Sequence, residues 1–424
     1  MRVSRLIKGG VLRLAQAGYT VVARLAPKAA QGQKEPARVL LLNGSHLGDV
    51  ILSMWHVAAI RAAWPGAEIG FVAGSWSAAV LRNHPQVEHL HIIDHWYLSR
   101  ASDSLAGKVE RYRATCRTAL AEIRSLRYDV AVCLHPWTPS FLHLAWTAGI
   151  PVRVAFSRTL AAPLATVVAE YPDDSTDPFV QHAMCQSRLL TALGIDAAIV
   201  NNSRPTLAPS TSPAVEELRS LLGEQALPYS IVHLGSGNPA KELPTELWVT
   251  VVNGLAESGK VVFTGHGTRE DAAIEAVRSR LAPGGQSVNV CGKLSWDGFV
   301  AAVRSAQVLY GVDSAAVHVA AAVGTRSVAV YSGIGGVGRW RPISDLTTVW
   351  SNPVPCSPCH LPHGCAQMSC MVPVSADDLL NSRWSEPSLS PKAVSASTSH
   401  LGPERADSSS KLAIKQLFTA AEPK

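Results

Sequence analysis

In the 424-residue chain no apolar run approaches the ~18 residues that a membrane-spanning helix needs, and the nearest, residues 160–168, is interrupted by Pro163. A transmembrane anchor is therefore not expected. Aromatic residues are few, at 6%, and charged residues make up only 17%, whereas 47% of the chain is apolar. That balance excludes disorder of the whole chain and supplies enough apolar surface for one or two cores. The 31 glycines and 27 prolines show no collagen-like period and are ordinary loop punctuation. At roughly 100–200 residues per domain, the length predicts two domains with extensions.

Acidic residues are nearly missing from the start of the chain. Glu35 alone stands against Arg2, Arg5, Lys8, Arg13, Arg24, Lys28, Lys34 and Arg38, so residues 1–38 carry +7. The remainder holds 30 basic and 31 acidic residues and sums to −1. A neutral body argues against a phosphate-tracking surface, and no nucleic-acid partner is expected. Within residues 1–37, Leu6, Ile7, Val11, Leu12, Val21, Val22 and Leu25 recur at roughly helical spacing. This leader is too polar for a secretory signal core. It reads either as a helix lying on an anionic lipid surface or as a leader that is unordered or packed on the protein.

The cysteines do not form the framework of a secreted disulfide scaffold. Cys116, Cys133, Cys185 and Cys291 are scattered and read as reduced, buried thiols. The other four cluster as Cys356-x2-Cys359-x5-Cys365-x4-Cys370, with His360 and His363 between them. Three readings stay open for this cluster: a structural metal such as zinc, a redox or disulfide pairing, and plain packing.

Apolar runs and helical patterns alternate along the rest of the chain. Residues 38–43, 68–73, 89–93 and 129–134 read as strands, with helices over about 50–64 and 109–126. The second half repeats the pattern, with strands at 229–234, 260–264, 287–289, 308–311 and 327–331 and helices at 245–257, 269–281, 296–306 and 315–323. Such alternation predicts an α/β protein with two Rossmann-like halves. The polar, proline-bearing segment 197–228 is the expected join, which gives domains at 38–205 and 206–383. Residues 384–424, rich in Ser, Pro, Ala and Lys, read as a largely disordered tail.

Three loops can carry chemistry, and each follows a strand, where open α/β sheets bind ligands. In Gly44-Ser-His-Leu-Gly-Asp49 the glycines permit a tight backbone, and Asp49 is either a helix cap or a carboxylate able to take a proton from a hydroxyl. In Gly235-Ser-Gly-Asn-Pro-Ala-Lys241, Ser236, Lys241 and accessible N–H groups can cradle a diphosphate, although no Walker A ending is present. In Gly311-Val-Asp-Ser-Ala-Ala-Val-His318, Asp313, Ser314 and His318 stand on the first turns of a helix whose free N–H groups favour an anion. Gly333-Ile-Gly-Gly-Val-Gly338 matches a dinucleotide fingerprint literally. It runs into Arg339-Trp-Arg-Pro342 instead of an amphipathic helix, and NAD binding is not expected there.

Taken together and in this order, the three loops and the 356–371 cysteine cluster resemble the bacterial heptosyltransferases of glycosyltransferase family 9, over about residues 38–375. The resemblance implies a GT-B fold, two Rossmann-like domains facing across a cleft, with the acceptor on the first and the nucleotide-sugar on the second. It implies inverting transfer with no cofactor required, most simply of heptose from ADP-heptose onto a lipopolysaccharide-core or related glycolipid acceptor. By the same resemblance Asp49 is the catalytic base, and Gly44, Ser45, His46 and Gly48 form the acceptor-side loop. Ser236, Lys241, Glu270, Asp313, Ser314, Ala315 and His318 are the donor contacts, with Ala315 standing where the family usually has glycine. A cytoplasmic enzyme, held at the inner membrane by its leader, follows as an expectation. Two alternatives remain: another nucleotide-hexose used for a different surface glycan, or a nucleotide-sugar-binding module without turnover.

Overall fold

The computed structural model describes residues 20, 35–135, 138–171, 182–223, 228–352, 354–361, 363–371 and 374–382. Most of the expected leader, and the expected tail over 384–424, lie outside the described residues.

The first half forms β1 (Arg38–Leu42), β2 (Glu68–Ala73), β3 (His89–Ile92), β4 (Val130–Cys133), β5 (Val152–Phe156) and β6 (Val167–Ala169). These pair in the order β3-β2-β1-β4-β5-β6. The second half forms β7 (Tyr229–His233), β8 (Lys260–Phe263), β9 (Ser287–Asn289), β10 (Val308–Val312), β11 (Ser327–Tyr331) and β12 (Thr347–Ser351), in the order β12-β11-β10-β7-β8-β9. All pairings are parallel. Each half thus sets its first strand beside its fourth, the doubly wound order whose switch point opens a crevice beyond the strand ends.

Helices α1 (Leu47–Ala63), α2 (Leu105–Leu126), α3 (Pro139–Thr147), α4 (His182–Ala192) and α5 (Ala197–Asn202) accompany the first sheet. The second is flanked by α6 (Ser212–Leu222), α7 (Thr245–Ala256), α8 (Thr268–Arg278), α9 (Trp296–Ser305) and α10 (Ala315–Val323), followed by α11 (Val337–Trp340) and α12 (Ala376–Asn381). Among the described residues no helix is long and apolar enough to cross a membrane.

Strand β1 shows why residues 39–42 are an unbroken apolar run. Val39 and Leu41 pack on one face with Val50, Met54 and Val57 of α1. Leu40 and Leu42 pack on the other with Ala119 and Ile123 of α2 and Phe141 of α3. A parallel strand covered on both faces has no polar side to show, and each such buried side chain stabilises by about 1.5–3 kcal/mol. In the second sheet Ile231 faces Val300 and Val303 of α9, while Val232 faces Val251 and Leu255 of α7. Helices α1 and α10 pack on each other, so one apolar cluster continues from β1 into β10.

Several elements differ from the sequence expectation. Strand β5 carries Arg153, which is only 4% exposed. Its guanidinium donates to the carbonyls of Leu164 at 2.7 Å and Ile150 at 2.5 Å. A buried charge satisfied by backbone carbonyls breaks the apolar pattern without breaking the strand. Strand β12 contains Thr347 and Thr348, both buried, and its polar residues masked it similarly. The expected join at 197–228 holds two helices: α5 packs on α1 and α4, and α6 packs on α9.

Candidate active site

The loop after β1 is fixed from beneath. The Asn43 amide donates to Ser53 Oγ at 2.7 Å, and its Oδ1 accepts from the Ser45 N–H at 3.1 Å. Trp76 Nε1 and Ser77 Oγ donate to the Ser45 carbonyl at 2.9 and 3.0 Å. Gly44 lies against Phe141, where an added Cβ would sit 2.6 Å from the ring. Gly44 and Ser45 therefore underlie the loop, and His46, Gly48 and Asp49 form its open surface. Asp49 stands in the first turn of α1, and its Oδ2 accepts the His46 N–H at 3.1 Å. Burial pushes the Asp49 carboxyl up to about 6, against the opposing pull of the His46 N–H, Arg100 and Lys241, with Asp313 adding to the rise. Burial, then the charge of Arg100, lowers His46 to about 4, so its ring is neutral at pH 7.

In the second half the loop after β7 is tied to the turn after β10. Lys241 Nζ pairs with Asp313 Oδ2 at 2.6 Å, and Ser236 Oγ donates to the Asp313 carbonyl at 3.0 Å. The Ser236 N–H donates to Glu242 Oε1 at 2.9 Å. Glu242 in turn accepts from Arg269 Nη1 at 2.7 and 2.8 Å. Both donors of Ser236 are thus committed within the protein, which makes it a tie between loops as well as a wall of the cleft. The Ser314 hydroxyl and His318 Nδ1 are buried without a hydrogen-bond partner among the described residues, and His318 is only 6% exposed. Burial lowers His318 to about 4, leaving a neutral ring with an unspent nitrogen at the start of α10. Buried polar atoms without partners are costly and mark places where a ligand can complete the bonding.

These two surfaces meet in one cleft of about 640 Å³. His46, Gly48 and Asp49 line it from the first half, and Ser236, Lys241, Asp313, Ser314, Ala315 and His318 from the second. The halves touch where α1 begins: a Cβ on Gly48 would lie 3.2 Å from the His318 ring. Glu270 does not line the cleft. Its carboxylate lies behind the β7 loop, against Gly235, and accepts the His266 N–H at 2.9 Å. Trp76, Arg100, Arg111 and Trp340 also line the cleft and were not anticipated. Arg100 and Arg111 are lone basic residues outside any glycine-bearing loop, and nothing in their local sequence separates them from ordinary surface residues. The Gly333–Gly338 segment leads into the four-residue α11, whose last residue, Trp340, packs against Leu52, Trp55 and Ala183.

The four clustered thiols line a separate cavity of about 310 Å³ with Met368. All four are free, with Cys370 buried and Cys356 and Cys365 exposed. Among the described residues no group of three or more His, Cys, Asp or Glu side chains is placed to hold a metal ion, so the zinc reading of Cys356, Cys359, Cys365 and Cys370 finds no support.

Residues 117–365 match the family described as glycosyltransferase family 9 (heptosyltransferase). No curated protein matches the chain. Among solved structures, a glycosyl transferase family 9 protein from Veillonella parvula is similar at 20% identity and a TM-score of 0.69, covering 83% of this chain and 97% of the other. The E. coli ADP-heptose lps heptosyltransferase II is similar at 19% identity and 0.63, covering 81% and 97%. The E. coli heptosyltransferase WaaC with ADP is similar at 18% identity and 0.60, covering 80% and 97%. The two parallel six-stranded sheets and their flanking helices match the GT-B-like architecture of these structures. With the family match spanning more than half of its length, this chain belongs to glycosyltransferase family 9, the heptosyltransferase family, and is a glycosyltransferase.

Proposed function

We propose that the chain is an inverting glycosyltransferase that moves a heptose from ADP-heptose onto a lipopolysaccharide-core or related glycolipid hydroxyl, without a metal cofactor. The observation that carries this reading is the convergence of a raised carboxylate, Asp49, and an anion-favouring constellation, Lys241, Ser314 and the start of α10, on one cleft from opposite sheets. The E. coli heptosyltransferase holding ADP in a similar fold supports the nucleotide assignment.

In this mechanism the donor diphosphate lies against Lys241, the Ser314 hydroxyl, His318 and the N–H groups opening α10. These donors offset the charge that grows on the leaving phosphate. Asp49 takes the proton of the acceptor hydroxyl as its oxygen attacks the anomeric carbon. The bond from that carbon to the diphosphate breaks, the nucleoside diphosphate leaves, and the configuration inverts. Ala315 places a methyl at the anion turn and lines the cleft, which favours testing other nucleotide-hexoses beside ADP-heptose.

The +7 leader supports contact with the cytoplasmic face of an anionic membrane, where a glycolipid acceptor resides. Replacing Arg2, Arg5, Lys8 and Arg13 by glutamine should lower co-sedimentation with anionic vesicles; unchanged sedimentation would refute the contact.

A thermal-shift panel of ADP, ADP-heptose, UDP-sugars and GDP-sugars, with and without EDTA, tests the donor, because a ligand of the folded state raises the melting temperature. Selective stabilisation by ADP-heptose that survives EDTA is expected. Selective stabilisation by another nucleotide-sugar would move the reaction to a different glycan. No response to any of them would favour a role without turnover.

A further inference from the structure

Arg100 belongs to the acceptor-side half, in the segment between β3 and α2, yet its guanidinium lies on the donor-side loop. A Cβ added to Gly237 would stand 2.6 Å from Arg100 Nη1. The side chain thus spans the cleft and touches the backbone that follows Ser236. Its charge also reaches inward, since it opposes ionisation of His46 and favours ionisation of Asp49.

The other cations around the cleft are engaged. Lys241 is paired with Asp313 at 2.6 Å, and Arg111 with Asp103 at 2.6 Å. Arg269 is held by Glu242 at 2.7 Å. Arg100, by contrast, has no hydrogen bond or ion pair among the described residues, and neither does the N–H of Gly237. Two unspent donors, one a planar guanidinium, therefore meet at a glycine whose missing side chain leaves the backbone open. A guanidinium presents its N–H groups as a fork suited to phosphate oxygens, and backbone N–H groups complete such sites.

We infer that Arg100 is a donor-diphosphate ligand supplied across the cleft by the acceptor half, binding the anion together with the Gly237 N–H. The inference rests on the nucleotide-sugar reading above and extends it. It assigns to the acceptor half a share of donor recognition, so donor binding requires both halves. Gly237 has a specific task in this arrangement: its missing side chain leaves room for Arg100 Nη1 to approach the loop end-on.

The test measures binding of ADP, inorganic pyrophosphate and adenosine to the full-length wild-type protein, R100A, R100K, G237A and the R100A/G237A double variant. Loss of one charge-assisted contact should weaken ADP and pyrophosphate binding by about 10- to 100-fold in R100A. R100K should recover only part of this, because an ammonium lacks the fork, and adenosine binding should not change. In G237A the new methyl meets only the end of a flexible side chain, so the fold is retained while the guanidinium is displaced. Its loss should vanish in the R100A background. Equal ADP binding by wild type and R100A, or additive losses in the double variant, would overturn the clamp while leaving the enzyme reading intact. Failure of the wild-type protein to bind ADP, UDP or GDP would overturn that reading and the clamp with it.

Discussion

Lys241 Nζ stands 2.6 Å from Asp313 Oδ2, joining the loop after β7 to the turn after β10 across the switch point of the second sheet. The two groups neutralise each other in the resting cleft, and Ser236 reinforces the junction through the Asp313 carbonyl at 3.0 Å. An arriving diphosphate then meets a lysine already fixed in place.

This pairing should appear in a double-mutant cycle. Lys241→Met leaves the Asp313 carboxylate, 9% exposed, without its partner, and is expected to cost about 1–3 kcal/mol in stability. Combined with Asp313→Asn, the loss should be smaller than the sum of the single losses. Urea unfolding of the four proteins checks this, and additive losses would show that the pair contributes nothing.

Asp49→Asn keeps an acceptor for the His46 N–H but removes the base. Turnover is expected to fall 10²–10⁴-fold, the usual range for loss of general-base catalysis, while nucleotide affinity changes little. Retention of more than about a tenth of wild-type turnover would remove Asp49 from that role.

The pH dependence follows from the same carboxyl. With Asp49 raised to about 6, kcat/KM should fall as pH drops through that value, because the base becomes protonated. Burial sets this value first; the His46 N–H, Arg100 and Lys241 pull it down, and Asp313 adds to the rise. Arg100→Ala removes a charge that favours the carboxylate, so its acid limb should lie at higher pH. For stability the sign is opposite to that of an ordinary paired carboxylate. A folded-state pKa above the unfolded one favours the folded state at low pH, and that contribution is lost as pH rises through about 6. The melting temperature of Asp49→Asn should therefore exceed that of wild type at pH 8, with the gap narrowing as pH falls through about 6 and closing only below the unfolded value of 3.8. A constant gap would contradict the raised value.

Gly44 supplies a structural control. Its Cβ position is occupied by the Phe141 ring, 2.6 Å away, and that ring is buried. Gly44→Ala should destabilise by about 1–3 kcal/mol, the usual cost of overpacking. An unchanged melting temperature would place Phe141 elsewhere.

Much of this architecture could be read from the chain. Residues 39–42 and 308–312 are apolar throughout because both faces of those strands are covered, and glycine-bearing loops follow the central strands of each sheet. What escaped detection has physical causes. Arg153 is buried by satisfying carbonyls that no sequence pattern reveals. Arg100 enters the cleft through tertiary placement from a segment without local signature, and Trp340 enters it after a glycine-rich segment whose sequence resembles a different motif. Glu270, expected at the donor, lies with its carboxylate against Gly235, behind the loop after β7. Ser236 was expected to hold phosphate, and its donors are spent on Glu242 and Asp313.

The contact between Gly48 and His318 places the junction of the two halves beside the reacting groups themselves. A rotation of one half against the other about that point displaces the outer rim far more than it alters the separation of the base from the donor turn. Breathing about that point would govern entry and exit at the rim and would leave the separation of Asp49 from the helix start at Ser314 little changed. Such a motion would make the centre of the cleft a fulcrum, and the separation of base and donor turn the distance that it changes least.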